Sequence, residues 1–427
     1  MKQIILGLLL VGLWTGGVYA QDSLNSVKVE NKTLHFFYQK EWKSLIQLGK
    51  KSIAQGIDFK ALNYRVGIAY YELGKYNEAL VYFTKVEKET ILDVVLQEYI
   101  YYSCLLGGRV ADARLYAAKM DVSVKEKVGF KTFRILDAVH LDGGTKLSSL
   151  PDSVGHMPLF SFGLSHRLGN RFKLYHHFSF LTQKYQGLTY NQYEYYAKAE
   201  IALNQGLQLF GAFHYTGLEG GSLVEIDSFI RLDVINDLKV NGLVGLLGLK
   251  GNIGNLKWKT SASFSNWVNQ KTTTIHYISS PAGPFVGIDD SVKTENTKTV
   301  ALQFSLDLDY KFPINKISWF SLGGQFSLQS KSKELKPIWG LRAYYQANDK
   351  LAFGLHFLQA QTTYYHTDDA YLTSNTLGVV DAQIGATFRY QIIPQINWYI
   401  DYTYEKRNNG NLNFDYHILS TGLKFTL

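Results

Sequence analysis

From about residue 130 to the C-terminus, apolar and polar side chains alternate in segments of roughly 10–14 residues. Leu302, Phe304, Leu306, Leu308 and Tyr310 are interleaved with Gln303, Ser305, Asp307 and Asp309. Near the end, Ile396, Trp398, Ile400, Tyr402 and Tyr404 alternate with Asn397, Tyr399, Asp401, Thr403 and Glu405. A strand sends successive side chains to opposite faces, so each segment has one apolar and one polar face. One such segment would fit a half-buried strand of a soluble protein. A long succession of them, with no helical period between, predicts a transmembrane β-barrel, apolar to lipid and polar to a lumen.

The connections predict the strand count. Tight turns fall at Gly169-Asn170, Asn204-Gln205-Gly206, Gly251 to Asn255, Pro313 to Asn315, Asn348-Asp349 and Pro394. Longer polar stretches lie at 144–156, 184–190, 218–236, 267–296, 331–336, 364–376 and 407–411. Outer-membrane barrels have short periplasmic turns and long outer loops. Six turns and seven loops predict about 14 antiparallel strands. A range of 12–16 allows for Leu223 to Val234, which reads as an extra strand, a loop hairpin or a helix. With an even count, both chain ends lie in the periplasm. The last strand sets Leu423, Phe425 and Leu427 against Lys424 and Thr426. It resembles the terminal strand that barrel-insertion machinery reads, although its final residue is Leu and the aromatic stands two earlier.

The N-terminal part, 1–128, has a different texture. Lys2, the apolar run Ile4 to Leu13 and Val18-Tyr19-Ala20 before Gln21 predict a signal peptide over 1–20. The apolar run is too short for a retained membrane anchor. Over 21–128 the period is helical and an internal repeat emerges, pairing Gly74 with Gly108, Ala79 with Ala113 and Trp42 with Tyr76. The spacing of these pairs, about 34 residues, is the tetratricopeptide (TPR) period. Gly67, Tyr70, Gly74, Tyr76, Ala79 and Phe83 fall at the spacing of the TPR consensus, so the middle copy resembles it closely. In the first copy only the second helix, Trp42 to Ile53, is clear, with Leu45 at the small-residue site and Gly49 at the aromatic one. The third has Cys104 and Ala117 at aromatic sites. The last helix, over 112–120, is expected to lean on the segment C-terminal to it. The remainder, 129–427, is assigned to the barrel.

Composition changes this picture little. No run of 18 apolar residues follows the leader, and mean hydropathy is −0.11, which excludes a helical membrane protein. The 30 Tyr and 25 Phe favour strands and the aromatic girdles of a barrel. Cys104 is the only cysteine, so no internal disulfide is available. The net charge of +8 is spread along the chain without a basic block, so no nucleic-acid partner is expected.

The alternation places Lys173, Glu194, Lys198, Glu200, Lys257, Lys259, Asp307, Asp309, Lys311, Asp381, Arg389, Asp401, Glu405 and Lys424 on the lumen face. Both signs are present, where a filter for one ion sign would show a ring of one charge. Such a set either forms pairs across a narrow lumen or faces a solute. Tyr175, Tyr196, Tyr399 and Tyr416 also point inward, where they would fill the lumen or stack on sugars. His166 and His176 point outward with no outward Ser beside them, while Ser161, Ser165 and Ser179 point inward. No hydrolase, zinc or phosphate-loop motif is present, so no catalytic residue, metal or cofactor is assigned. Gly143-Gly144 and Gly220-Gly221 read as loop glycines. In the repeat segment Tyr64, Arg65, Tyr71, Tyr99 and Tyr101 are candidates for gripping a partner on a concave helical surface.

Leader, short helical repeat and C-terminal barrel together resemble three outer-membrane families: the TPR-porins of exopolysaccharide export, the translocators that deliver lipoproteins to the cell surface, and the YaiO-like barrels. The resemblance implies a periplasmic TPR module that recruits a protein or polysaccharide for export or display through a barrel in outer-membrane lipid. A scaffold with a closed lumen is the alternative, and a lipid-modifying enzyme a third.

Overall fold

The computed structural model describes residues 25–89, 93–152, 154–185, 188–225, 231–278, 288–331, 334–363, 365–367, 372–373, 379–408 and 413–427. The predicted signal peptide lies outside them.

Seven helices are present among the described residues: α1 Ser26–Tyr38, α2 Trp42–Ala54, α3 Lys60–Glu72, α4 Tyr76–Glu89, α5 Val94–Leu106, α6 Val110–Ala117 and α7 Val122–Lys127. None is long and apolar enough to cross a membrane. Their boundaries recur at the period of the sequence repeat. Ser26, Lys60 and Val94 open one set, and Trp42, Tyr76 and Val110 open the other. The turn between the helices of each pair holds a residue at positive φ: Lys40 at 56°, Gly74 at 74° and Gly108 at 81°. This left-handed position is where a helix ends and the chain reverses, and two of the three sites carry the residue that adopts it without strain. The first pair therefore has both helices, including α1, which the sequence did not show. Asn25 caps α1 by accepting from the Lys28 amide at 2.8 Å.

Two units are compact. The first comprises residues up to Leu73 and Glu78–Asp93. Its core holds Leu45, Leu62, Val66, Ala69, Ala79 and Phe83, all buried. A Cβ at Gly67 would lie 2.6 Å from the Phe83 ring, so a small residue there is required by close helix crossing. Leu45 and Gly49 exchange these roles in the first pair: Leu45 is fully buried, and a Cβ at Gly49 would run into Val66. Arg65 is not a free gripping residue. It is buried, ion-paired to Glu30, and donates to Thr33 Oγ1 at 2.8 Å. Tyr64 packs against the Phe83 ring at 6.2 Å.

The second unit, Gly74–Asn77 with Val94–Leu427, contains the barrel. Its strands are β1 Arg134–Ser148, β2 Met157–Leu168, β3 Phe172–Tyr185, β4 Leu188–Asn204 and β5 Leu207–Glu225. Then come β6 Arg231–Ile253, β7 Leu256–Ile278, β8 Ile288–Pro313, β9 Trp319–Lys331, β10 Glu334–Gln346 and β11 Leu351–Thr362. After a small pair, β12 His366–Thr367 and β13 Leu372–Thr373, the barrel continues with β14 Val379–Ile393, β15 Ile396–Asn408 and β16 Asn413–Thr426. Every barrel strand pairs antiparallel with its neighbours, and β1 closes on β16 from Ala138↔Thr426 to Ser148↔Tyr416. Closure leaves no backbone edge in lipid. The barrel has fourteen strands.

On β8 from Ala301 to Phe312 the exposed residues are Leu302, Phe304, Leu306, Leu308, Tyr310 and Phe312, while Ala301, Gln303 and Asp307 are buried. Leu322, Phe326, Leu341, Phe353, Leu355, Ile384 and Leu419 continue this apolar outer belt around the barrel. Rings cluster outside the short-turn end, with Phe312 between Tyr310 (4.6 Å) and Phe320 (6.2 Å), and Phe388 between Phe353 (5.6 Å) and Trp398 (5.9 Å).

The six tight turns fall where expected. Several predicted loops do not. β5 and β6 pair out to Glu225↔Asp233, and β7 and β8 pair out to Ile278↔Ile288. The stretches 218–236 and 267–296 are therefore largely strand hairpins, with tips outside the described residues. Leu223 and Val234 face Ile235 and Val224 across one hairpin, not an extra strand or helix. Gly143-Gly144 lies inside β1 and Gly220-Gly221 inside β5. A Cβ at Gly144 would strike the Leu419 carbonyl, so this glycine serves close strand approach, not a loop.

Inside the barrel, one wall is not polar. Phe210, Ala212, Leu218, Val240, Val244, Leu246 and Trp267 form a buried cluster with Tyr190 and Tyr196. Over Val240–Leu246, β6 is thus apolar on both faces, while the inner face of β5 also holds buried His214 and Thr216. A second inner cluster joins Ile338, Leu358, Ala360 and Val380 to Tyr365. Tyr365 and His366 come after β11 and turn inward, where the His366 carbonyl accepts from Gln303 Nε2 at 2.9 Å.

Candidate functional site: the barrel lumen and its short-turn mouth

The rest of the lumen is a cavity of about 1270 Å³ lined by many charged and polar side chains. Of the expected lumen residues, Lys173, Glu194, Lys198, Glu200, Asp309, Arg389, Asp401, Glu405 and Lys424 line it. Most of the carboxylates are engaged. Glu200 binds Lys198 (2.6 Å) and Lys250 (2.7 Å). Asp309 and Asp307 share Arg342, at 2.6 and 3.0 Å, and Asp307 also holds Lys259 at 3.4 Å. Glu194 accepts from Ser179 Oγ (2.8 Å) and Gln192 Nε2 (2.6 Å). Asp401 accepts from Thr387. Glu405 is buried with Arg407 and accepts from Gln383. Arg389 lies over the Tyr344 ring at 5.7 Å.

Asp381 does not line the cavity. It sits where the β14–β15 register shifts between Val380 and Ala382, and Val380 takes the buried place. A bulge reverses the facing that strict alternation predicts.

The sequence reading missed the inward members of β1. Asp142 accepts from Tyr399 Oη and from Ser161 Oγ (3.2 Å), with His177 Nε2 at 3.8 Å. One carboxylate thereby ties β1 to β2, β3 and β15. His140 Nε2 lies 3.3 Å from Ser165 Oγ. Reading 144–156 as a loop hid the end of this strand. Arg342, Lys146 and Arg407 were missed as well. His176 faces outward, 2.8 Å from Tyr195 Oη and ring-to-ring with His166 at 5.3 Å, while His177 faces inward. No cluster of three metal-ligating side chains occurs among the described residues.

Lys257 and Lys311 belong to a different structure. Lys311 Nζ donates to the Leu106 carbonyl at 2.9 Å, and a Cβ at Gly108 would lie 2.9 Å from Lys257 Nζ. Both cations stand at the C-terminal end of α5, where unsatisfied carbonyls gather negative charge. Nearby groups fasten α6 and the Gly74–Asn77 segment to the barrel's short turns. Tyr76 Oη donates to the Lys316 carbonyl (2.6 Å), and Asn77 Nδ2 to Asn255 Oδ1 (2.7 Å). The Gly206 amide donates to Asp112 Oδ1 (2.7 Å), and Ala111 and Leu115 pack on Ala202 of β4. A Cβ at Gly74 would strike the Asn315 carbonyl. Gly74, Tyr76 and Gly108, singled out as repeat residues, thus lie against the chain's own barrel, while Gly67, Tyr70, Ala79 and Phe83 pack within the helices and Ala113 is buried in α6. The helix expected over 112–120 does lean on the barrel. Tyr101 is buried, which pushes its phenol pKa up, so it presents no free gripping surface.

No family model matches the chain, and no curated protein does. Among solved structures, the toluene transporter TodX of Pseudomonas putida is similar at 9% identity and a TM-score of 0.43, over 68% of this chain and 88% of that one. A Pseudomonas aeruginosa FadL homologue is similar at 9% identity and 0.40, over 76% and 94%. The translocator domain of the autotransporter NalP from Neisseria meningitidis is similar at 12% and 0.36, over 77% and 96%. At such scores no activity transfers. The closed antiparallel barrel, its even strand count and its apolar belt are themselves the architecture of an outer-membrane β-barrel.

Proposed function

We propose that this chain is an outer-membrane barrel that passes or displays a solute or polymer through its lumen, and that its helical repeats form a periplasmic TPR-type module that recruits the cargo or its carrier. One observation carries the reading: a cavity of about 1270 Å³, lined by many charged and polar side chains inside a lipid-facing wall, with α5 and α6 anchored over the short turns at its mouth. The regular recurrence of helix boundaries and the positive-φ turns support the TPR assignment. The likeness in architecture to TPR-porins, lipoprotein translocators and YaiO-like barrels supports the rest, with a periplasmic protein or polysaccharide as partner and the β16 strand as the signal to insertion machinery. The reading assigns no catalytic step and no cofactor.

The test is single-channel conductance in planar bilayers, with the chain from Gln21 compared with a form lacking residues 25–93. Steady conductance in both makes the barrel an open pore and the removed helices a recruiting module. Conductance only in the shortened form makes it a gated translocator. Silence in both overturns transport and leaves a closed scaffold, for which the buried Glu405–Arg407 network and the inner apolar clusters would be the physical reason.

A further inference from the structure

Lumen charges balance in number but not in pairing, and the imbalance is concentrated at the short-turn end. Two carboxylates serve this region. Asp137 is ion-paired to Arg167 and lies 3.9 Å from Arg134. Glu200 is already shared by Lys198 and Lys250. Three cations remain, Arg114 of α6, Lys173 of β3 and Lys424 of β16. Among the described residues none of them has a carboxylate at ion-pair distance. Glu200 and Asp137 attract both Arg114 and Lys173 from a distance, but Lys173 is also repelled by Lys424 and Arg114, and Arg114 by Arg167. Arg114 is only 8% exposed, and its Nε has no hydrogen-bond partner. Burial pushes its guanidinium pKa down from its ordinary value, yet an arginine keeps its proton. A buried cation without a carboxylate at contact distance is costly, and several on one floor that share two carboxylates are more so.

We propose that Arg114, Lys173 and Lys424 form a binding site for an oxyanion, the phosphoryl or carboxylate group of a solute held in the lumen. The guanidinium supplies planar N–H donors that match such a group, and the two ammonium groups supply point charges. Lys173 and Lys424 line the cavity, and Tyr175 and Tyr399 line it beside them, so a ligand larger than its charged group has room above. The site joins the anchored helix to the barrel: removing α6 would remove the guanidinium. An anion bound here strengthens the attachment of α6 to the floor and so couples cargo to the helices.

The proposal names the cargo chemistry of the cavity on which the transport reading rests, but binding and conductance are separate measurements. Calorimetric titration of the full chain in detergent, at constant ionic strength, uses pyrophosphate, trigalacturonate and the neutral maltotriose. The expected result is saturable binding of at least one of the two anions and none of maltotriose. Lys173→Gln and Arg114→Gln should each weaken it at least tenfold, with the folded band shift on unheated gels retained. Preference for pyrophosphate identifies a phosphoryl group, and preference for trigalacturonate a carboxylated glycan. If Arg114→Gln does not fold, Lys173→Gln decides alone. Absence of binding by either anion, equal affinity in the folded variants, or equal binding of maltotriose overturns the site. A silent barrel that binds pyrophosphate keeps the site and loses transport, whereas a conducting barrel that binds no anion loses the site alone.

Discussion

Placing arginine at Leu306 tests the facing of the wall directly. Leu306 is exposed on β8, in the outward run from Leu302 to Phe312. Ten steps at about 3.4 Å, tilted by about 40°, span roughly 26 Å along the membrane normal, close to the apolar band of about 25 Å typical of such barrels. Leu306 is four steps into that run, so it lies within about 3 Å of the midplane. An arginine on the lipid face at that depth costs about 2–4 kcal/mol. Its chain neighbour Ser305 points inward, where it accepts from Ser327 Oγ at 2.8 Å beside the inward Asp307. Arginine at Ser305 enters a polar interior beside that carboxylate, away from lipid, and should cost clearly less. The assay is reversible urea unfolding in lipid vesicles, followed by tryptophan fluorescence and by heat-modifiable mobility. Leu306→Arg should lower the unfolding free energy by the stated amount, and Ser305→Arg by less than half of it. Equal losses would refute the assignment of faces on β8, and with it the inward list from which the lumen was built.

Three further outcomes rest on single sites. Glu405→Leu leaves the buried Arg407 without its carboxylate, and breaking a buried pair in this way costs about 3–5 kcal/mol; an unfolding midpoint unchanged in urea would show that water from the cavity solvates the pair. Gly67→Ala gains up to about 1 kcal/mol of helix propensity. It also drives a methyl into the fully buried Phe83 ring, an overpacking cost of about 1–3 kcal/mol, so faster amide exchange in α3 is expected and slower exchange would contradict the crossing geometry. The Tyr70 phenol is pushed up to about 12, first by burial and then by Tyr82, on which it stacks at 5.5 Å. The folded state then holds its proton more tightly than the unfolded state, whose value is about 10. Its contribution is therefore complete below pH 10 and declines as pH rises from there through 12. Helical circular dichroism should fade over that range, and Tyr70→Phe should reduce the loss; an unchanged alkaline profile would place Tyr70 in solvent.

What the sequence revealed depends on which physical constraint shapes each element. Strict alternation was legible wherever lipid lies on one side and water on the other, as on β8 and β15, because each residue then answers to one solvent. It failed on β6, where Val240, Val244 and Leu246 point into an apolar inner cluster while Leu243, Leu247 and Leu249 point to lipid. With both faces apolar the period of two vanishes, and Gly242 and Gly248, which make room for the Trp267 and Phe210 rings, look like loop residues. The helical period was legible for the opposite reason: a turn at positive φ once in every repeat leaves a mark in the chain itself. Pairing leaves no such mark. Lys257 and Lys311 alternate as faithfully as Lys173, yet they serve the end of α5, far earlier in the chain, while Lys173 shares its floor with Arg114, a residue that no strand pattern could have placed there. Facing is written locally, whereas the partner of an inward charge is decided by whichever distant element closure brings to the same rung. The list of inward charges therefore looked balanced, while the floor of the lumen holds cations in excess.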